Sequence, residues 1–538
     1  MTNPFRVLIA DPIHEDGRDR LAADKSFAVD VETGLDEASL VARIPSYDAL
    51  IVRSKTKVTA PVIAAGAALK VVGRAGIGVD NIDVPAATER GIVVFNTPDA
   101  NATTTAELTI AHLMSLSRHL PQADRSVRSG VWTPTKFVGS EVAGKTIGIV
   151  GFGTIGRLVA ARCAGLKMRV LAYDPFVAPE IMPQSAAEPR DLDALIAEAD
   201  YVTLHCPLID KTRNVIDAER IRRMKPGARL INCARGGLVD EAALFAALQS
   251  GHLAGAALDV FASEPPKESP LLALHNVVLT PHLGASTEEA QQAVSARIAE
   301  DVANFLLTGA AETAVNLPRI SGEQLSRTRP YQELARALGA LVGALRDEPI
   351  KELVVRLFGA VAELDARPIV AEALVGLLGK RLAGPVNRVN AQHLARAQGI
   401  EVRESRSEQT RDYVSLVEVS AITEHGTTTV AGTLLGGRLP RLVRIDGYDV
   451  EAVPKGHFIF TRHLDQPGVV GALGGLLARE HINISRMHVG VDGNGNGGVV
   501  TGDGHAIALI SISGALPESV MSELRALPPI AEAVTFEL

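Results

Sequence analysis

No stretch of the chain approaches the roughly 18 consecutive apolar residues that a membrane-spanning helix needs, so no segment reads as transmembrane. The first residues, "MTNPFRVLIADP", hold only a short apolar run around Val7–Ala10, too short for the core of a secretion signal. Cysteine is scarce. Cys163, Cys206 and Cys233 are too few and too scattered for a disulfide framework or a zinc site, so no metal is expected and a reduced, cytoplasmic setting fits. Excess positive charge is missing as well. A formal net charge of −8 argues against a general polyanion binder and leaves room only for a local basic pocket, so neither nucleic acid nor a membrane is an expected partner. Low-complexity sequence is confined to "DGNGNGGVVTGDG" (492–504), whose Gly and Asn residues read as a hairpin tip.

What is present is ordinary globular composition, 46% hydrophobic and 22% charged, over 538 residues, enough for roughly three to four domains. From residue 6 to about 97, strand-length apolar runs ("RVLIAD", "DALIVRS", "KVVGRAG", "IVVFNT") alternate with helical stretches, which predicts a parallel sheet covered by helices. Residues 101–118 carry helical spacing behind Asn101 as a candidate cap. The same alternation then restarts at "TIGIVGFGTIG" (146–156), so two α/β domains stand in tandem. Beyond Pro318 the pattern changes: 323–345 reads as helix and 412–453 as successive antiparallel strands. The last 80 or so residues read β-α-β-β-α-β, the order of a ferredoxin-like domain.

Within "TIGIVGFGTIG", Gly151, Gly153 and Gly156 follow an apolar strand and open a helix. Asp174 ends the next strand, about 20 residues further on, where a dinucleotide site places the carboxylate that holds the ribose hydroxyls. The glycines allow a tight turn and close backbone approach, with the helix N-terminus facing the pyrophosphate. Asp174 would repel the 2′-phosphate of NADP, so NAD is the expected cofactor. Three later segments end strands with polar residues: Arg235 in "NCARGGLVDE", Glu264 in "LDVFASEP" and His282 in "LTPHLGAST". Ligands of open parallel sheets bind beyond such strand ends. A His to take a hydroxyl proton, a carboxylate to orient and steady the imidazolium, and an Arg to hold an acid are what oxidation of a hydroxyacid requires.

Together "VGFGTIGRLVA", "NCARGGLVDEAAL", "ALDVFASEP" and "LTPHLGAST" resemble the NAD-dependent D-2-hydroxyacid dehydrogenase family. Over essentially its whole length the chain is similar to the family's long form, whose members begin L-serine biosynthesis by oxidising 3-phospho-D-glycerate to 3-phosphooxypyruvate, with 2-oxoglutarate as a further acceptor. The resemblance implies a Rossmann-type NAD domain (99–284) inserted in a flavodoxin-like substrate domain (1–98 and 285–318). An α+β intervening, allosteric substrate-binding domain (319–454) and a ferredoxin-like ACT domain (455–538) then follow. It implies Arg235, Glu264 and His282 as the catalytic set. Cofactor contacts carry over to Thr154, Ile155, Asp174, Cys206, Pro207, Thr212, Cys233, Ala234, Arg235, Asp259, His282, Gly284 and Ala285. Substrate loops carry over to Arg53, Ser54, Ile77 and Gly78, with Asn101 nearby.

A substrate with a phosphate and a carboxylate brings nearly three negative charges, and Arg53, Arg74 and Lys136 are the basic candidates for its phosphate end. Pro134 stands where some relatives carry another basic residue. In the ACT domain, "RHLDQPGVVGAL" and "HINISRM" match the family's effector site. Asp465 would pair with the ammonium of L-serine, the helix start at Gly468 would take its carboxylate, and His463 and Asn483 would supply hydrogen bonds. A homotetramer is the expected assembly. Two other readings remain: a dehydrogenase for glyoxylate or hydroxypyruvate, and a non-catalytic NAD-sensing scaffold.

Overall fold

The computed structural model describes residues 3–410, 412–491 and 504–538. Most of the Gly-rich stretch expected as a hairpin tip, 492–503, lies outside the described residues. The first sheet contains β1 (Phe5–Ile9), β2 (Phe27–Val31), β3 (Ala49–Val52), β4 (Val71–Arg74) and β5 (Val93–Phe95). All its strands are parallel, in the order β2-β1-β3-β4-β5, the flavodoxin-like arrangement. Its central strands are buried on both faces, β3 at every position. They therefore read as continuous apolar runs rather than as alternation.

The second sheet is also parallel. It comprises β6 (Thr146–Val150), β7 (Arg169–Tyr173), β8 (Glu188–Pro189), β9 (Tyr201–Leu204), β10 (Arg229–Asn232), β11 (Gly255–Leu258) and β12 (Val277–Leu279). Its order, β12-β11-β10-β9-β6-β7-β8, reverses between β6 and β9. A doubly wound sheet opens its binding crevice at that reversal, and the glycine turn leaves β6 there.

Two long helices tie the sheets together. The crossing helix, Ala102–Arg118, packs Ala106, Leu113 and Leu116 with Ile147 and Ile149 of the second sheet. The return helix, Glu288–Thr308, packs Val294, Ile298, Ala299 and Val302 with Val7, Ile9 and Val71 of the first. The Thr287 hydroxyl caps its start and Gly309, at φ 83°, ends it. The core of the first sheet runs beyond residue 318 to Ile320, Leu325 and Val389, so the next domain is docked onto it rather than strung from a linker.

The third sheet has β13 (Glu352–Gly359), β14 (Glu401–Ser407), β15 (Ser415–Ile422), β16 (Thr427–Leu435), β17 (Leu439–Ile445) and β18 (Tyr448–Ala452), in the order β14-β13-β15-β16-β17-β18. Only the β13–β14 pair is parallel. Helices Gly322–Ala344 and Ala366–Leu378 pack against this sheet. The fourth sheet is antiparallel: β19 (His457–Leu464), β20 (Ile484–Val491), β21 (His505–Ile512) and β22 (Ile530–Glu537), in the order β20-β21-β19-β22. Helices Val469–Arg479 and Glu518–Arg525 share one core with it, which completes the ferredoxin-like pattern. Among the described residues, no helix is long and apolar enough to cross a membrane.

Candidate active site

His282 follows β12 at φ 57°, and its Nδ1 lies 2.8 Å from Glu264 Oε2. The other Glu264 oxygen accepts the Phe261 amide at 3.2 Å. Burial works to raise the Glu264 carboxyl, but the hydrogen bond and charge of His282, the Phe261 amide and Arg235 hold it below the usual carboxylate range. The carboxylate is therefore ionised at neutral pH. It fixes the proton on Nδ1 and leaves Nε2 as the free, basic nitrogen.

Asp259 follows β11 and is fully buried, beneath the same loop. Its carboxylate accepts the Thr280 hydroxyl at 2.6 Å and the amides of Leu283 and Gly284 at 2.7 and 2.9 Å. Thr280 Oγ1 also meets His112 Nε2 at 3.1 Å, and burial lowers that imidazole's pKa so that it stays neutral. Gly284 O accepts the Thr105 hydroxyl at 2.7 Å. The resemblance places Asp259 among the cofactor contacts. In the structure its hydrogen bonds go to the loop carrying His282 and Gly284, so it braces that loop against the crossing helix.

Arg235 follows β10 in a turn that Asn232 closes, accepting the Ala234 amide at 3.0 Å and donating to Arg235 O at 2.8 Å. Arg235 Nε donates to Asp80 of the first domain at 2.8 Å. Its Nη2 lies over Gly78, where an added Cβ would stand 1.8 Å away. Arg74, at the end of β4, lies over Gly76 in the same manner, at 1.9 Å. Burial, together with the charges of Arg235 and Arg53, pushes the Arg74 guanidinium down to about 10, and its buried Nε has no partner. Arg53 follows β3, with its amide on Asp11 at 2.6 Å and Ser54 exposed beside it. Three guanidiniums from two domains thus face one another with too few carboxylates between them, a site short of negative charge. Asn96 holds the intervening loop by donating to Ile77 O at 2.5 Å. Asn101 begins the crossing helix with its buried Oδ1 unpartnered. Lys136 does not join this group; it is exposed on the turn Pro134–Phe137, near the 80% exposed Trp132.

The glycine turn has the shape that a dinucleotide needs. Gly151 is at φ 94°, with the His205 backbone 2.6 Å from where a Cβ would sit, and a Cβ on Gly156 would meet Gly151 O at 2.2 Å. Around Gly153 there is open space, and Thr154, Ile155 and Gly156 form the first turn of the helix beyond. Asp174, after β7, accepts the Phe152 amide on one oxygen and the Phe176 amide on the other, at 2.8 and 2.9 Å. Each oxygen keeps capacity for a hydroxyl. Cys206 and Pro207 follow β9, and the Thr212 hydroxyl donates to Pro207 O at 2.6 Å to close that loop. Burial pushes the thiols of Cys206 and Cys233, the latter beside Ala234, up to about 11 and about 12. Both therefore pack as neutral groups. Among the described residues no cluster could hold a metal ion.

The effector candidates divide. His463, Asp465 and Gly468 gather where β19 passes into its helix; His463 is buried against Thr461 at 3.2 Å, and burial lowers its pKa. Asn483 does not join them. It precedes Ile484, which pairs with Ile512, and Ile512 pairs with His457 at the start of β19. The intervening helix carries the chain back along the sheet, so β20 starts at the far end, roughly 25 Å from Asp465 at about 3.3 Å per residue.

Sequence models of known families match three parts of the chain. The D-isomer specific 2-hydroxyacid dehydrogenase NAD binding domain matches residues 110–284, the D-3-phosphoglycerate dehydrogenase intervening domain 327–446, and the ACT domain 457–529. The chain is 44% identical over 535 residues to a D-3-phosphoglycerate dehydrogenase of Synechocystis sp., covering 99% of this chain and 95% of that one. It is 41% identical to one from Archaeoglobus fulgidus, over 99% and 100% of the two chains. Among solved structures, the D-lactate dehydrogenase of Aquifex aeolicus complexed with NAD and lactic acid aligns at TM-score 0.52 and 27% identity, over 56% of this chain and 95% of that one. With similarity of this degree running the length of both chains, this chain belongs to the D-3-phosphoglycerate dehydrogenases of the D-isomer specific 2-hydroxyacid dehydrogenase family.

Proposed function

We propose that the chain catalyses NAD-dependent oxidation of 3-phospho-D-glycerate to 3-phosphooxypyruvate in cytoplasmic serine biosynthesis. The observation that carries this reading is the His282–Glu264 pair at 2.8 Å beside the Arg53, Arg74 and Arg235 group. NAD supplies the hydride acceptor, held by the glycine turn and by Asp174. Nε2 of His282 would take the proton of the C2 hydroxyl while the hydrogen on C2 departs as hydride. Glu264 stabilises the resulting imidazolium. Arg235, steadied by Asp80, holds the substrate carboxylate and the developing carbonyl oxygen. Arg74 and Arg53 receive the phosphate, whose charge offsets their mutual repulsion. Asp259, Thr280 and His112 keep the loop in register.

We also infer feedback by L-serine in a homotetramer, a reading that the ACT domain at residues 457–529 supports. Within one protomer, Asp465, His463 and Gly468 form one half of an effector site, and Asn483 completes it only from a second copy. The exposed apolar residues Leu120, Val127, Trp132 and Val138 offer a further surface for such a copy.

The test is the purified protein with NAD and 3-phosphoglycerate, followed at the NADH absorbance. Turnover of the phosphorylated acid with NAD is expected, and little reduction of hydroxypyruvate or glyoxylate with NADH. The reverse preference would make it a different hydroxyacid dehydrogenase, and no turnover with any acid would favour an NAD-sensing scaffold.

A further inference from the structure

Residues 96–101 link β5 of the first domain to the crossing helix, and the link is fixed at both ends. Asn96 Nδ2 donates to Ile77 O at 2.5 Å and the Thr97 amide donates to Gly76 O at 3.0 Å. Further on, Asp99 O accepts the Ala102 amide at 3.4 Å, where the helix starts. The link holds one side chain out toward the glycine turn: Asp99 Oδ1 accepts the Thr154 hydroxyl at 3.2 Å. Asp99 is exposed, and among the described residues no Lys or Arg forms an ion pair with it.

Thr154 opens helix Thr154–Gly165, which follows the glycine turn. The start of this helix supplies no negative charge of its own. Gly153 at the cap has no side chain to accept an amide, and the first turn holds no Asp or Glu. The space around Gly153 is open. The pyrophosphate of NAD goes to such a helix start, against the first amides and the positive end of the helix dipole. Asp99, held on the link between the domains, brings a carboxylate to the same place.

We propose that Asp99 sets cofactor affinity by opposing the pyrophosphate at the start of this helix. In the empty cleft its carboxylate complements the helix dipole. With a dinucleotide in place, two like charges share one helix start, and no neighbouring cation offsets the carboxylate. At the effective dielectric of a protein surface, a like charge several ångström away weakens an anion roughly three- to tenfold. The oxidised and reduced dinucleotides both carry the pyrophosphate, so both are held less firmly. The benefit lies in departure of the reduced form, since product release is the slow step in many enzymes. Asp99 thus acts in the opposite sense to Asp174, whose carboxylate holds the ribose.

The experiment is titration calorimetry of the full-length protein with ADP-ribose and with NADH, set against adenosine, which has no phosphate. Asp99→Asn keeps an oxygen for the Thr154 hydroxyl and removes only the charge. It should bind ADP-ribose and NADH about three- to tenfold more tightly than the wild type, and the gain should shrink as salt is raised. Adenosine should bind both proteins alike, which also shows that the variant is folded. Stopped-flow fluorescence should show NADH leaving Asp99→Asn more slowly. ADP-ribose bound equally by the two proteins would overturn the proposal. So would weaker binding by Asp99→Asn, because Asp99 would then be a domain latch that the cofactor needs. An equal gain in Glu404→Gln, an exposed carboxylate on the edge strand β14, would overturn it as well, since overall charge would then explain the result. No hydroxyacid enters the measurement, so the outcome does not depend on which acid the cleft oxidises.

Discussion

The dehydrogenase cleft and the ACT effector site differ in how much of each a single protomer assembles. Arg53, Arg74, Arg235, Glu264 and His282 come from five strand ends of two sheets, yet Asp80 joins Arg235 at 2.8 Å and Glu264 joins His282 at the same distance. The effector candidates lie far closer in sequence, but the ferredoxin-like crossover sends Asn483 to the opposite end of the sheet from Asp465. Parallel doubly wound sheets collect strand ends on one side by construction. In the ACT domain β19 and β20 also run parallel to each other, but Asn483 stands at the start of its strand and Asp465 after the end of its own, so under the proposed serine feedback a second copy supplies the missing half.

The largest effect expected on the cleft side is that of His282→Asn. Turnover should fall 10²–10⁴-fold, the usual cost of losing a general base, at roughly unchanged NAD affinity by calorimetry. Near-normal turnover would remove the cleft from the comparison. Glu264→Gln should cost less and reshape the pH profile. Oxidation needs the neutral imidazole, so the rate rises with pH along the acid limb. The Glu264 carboxylate steadies the imidazolium that forms as the proton is taken, so replacing it with an amide should change the pH dependence of turnover. Because His282 and its neighbours hold the Glu264 carboxyl below its ordinary value of 4.5, the wild-type pair stays intact throughout the neutral range and is lost only as pH falls through that lower value. A limb that does not move would refute the orienting role.

Gly78→Ala sharpens the same side by moving Arg235 without replacing it. Its new Cβ would displace Arg235 Nη2 from 1.8 Å. KM for the hydroxyacid should rise about ten- to a hundredfold, the range for one lost charged contact, while NAD affinity holds. Equal losses in both would mean that the change has disturbed the domain joint instead. Smaller still is Asp174→Ala, expected to weaken NAD about tenfold and to narrow its preference over NADP. A fixed ratio of the two would assign cofactor choice to another residue.

The sequence makes the cleft legible because each strand end carries its own local pattern: an apolar run, then a turn with a polar residue. What it hides is long-range or lacks a period. Helix Ala366–Leu378 is buried on nearly every side, so no amphipathic stripe announces it. Strand β14, "EVRESRS", is a charged and largely exposed edge that reads as loop. Asp80 pairs with a residue 155 positions away, and His112 reaches Thr280 from an apolar helix face. Neither follows from spacing, although the loop "GRAGIGVDN" that carries Asp80 is itself part of the resemblance. The effector site misleads for the opposite reason. Its two motifs lie close in sequence, which suggests one pocket, but the helix between them spans the length of the sheet.

That separation yields the most delicate prediction. Asp465→Ala and Asn483→Ala, made separately, should each raise the serine concentration for half-inhibition several-fold, while activity without serine is retained. If both residues serve one pocket across two copies, co-assembly of the two variants should restore sensitivity in part. A mixed pair contains one site with both substitutions and one with neither, because the Asn483→Ala chain contributes Asp465 and the Asp465→Ala chain contributes Asn483. Mixed assemblies, isolated by two different affinity tags, should therefore show a serine-sensitive fraction that neither pure variant has. Serine can act only through its greater affinity for the less active arrangement, so a restored site must restore inhibition along with binding. Mixed assemblies no more sensitive than the pure variants would mean that Asn483 acts within its own protomer or not at all, and the contrast between the two sites would fail at its weaker side.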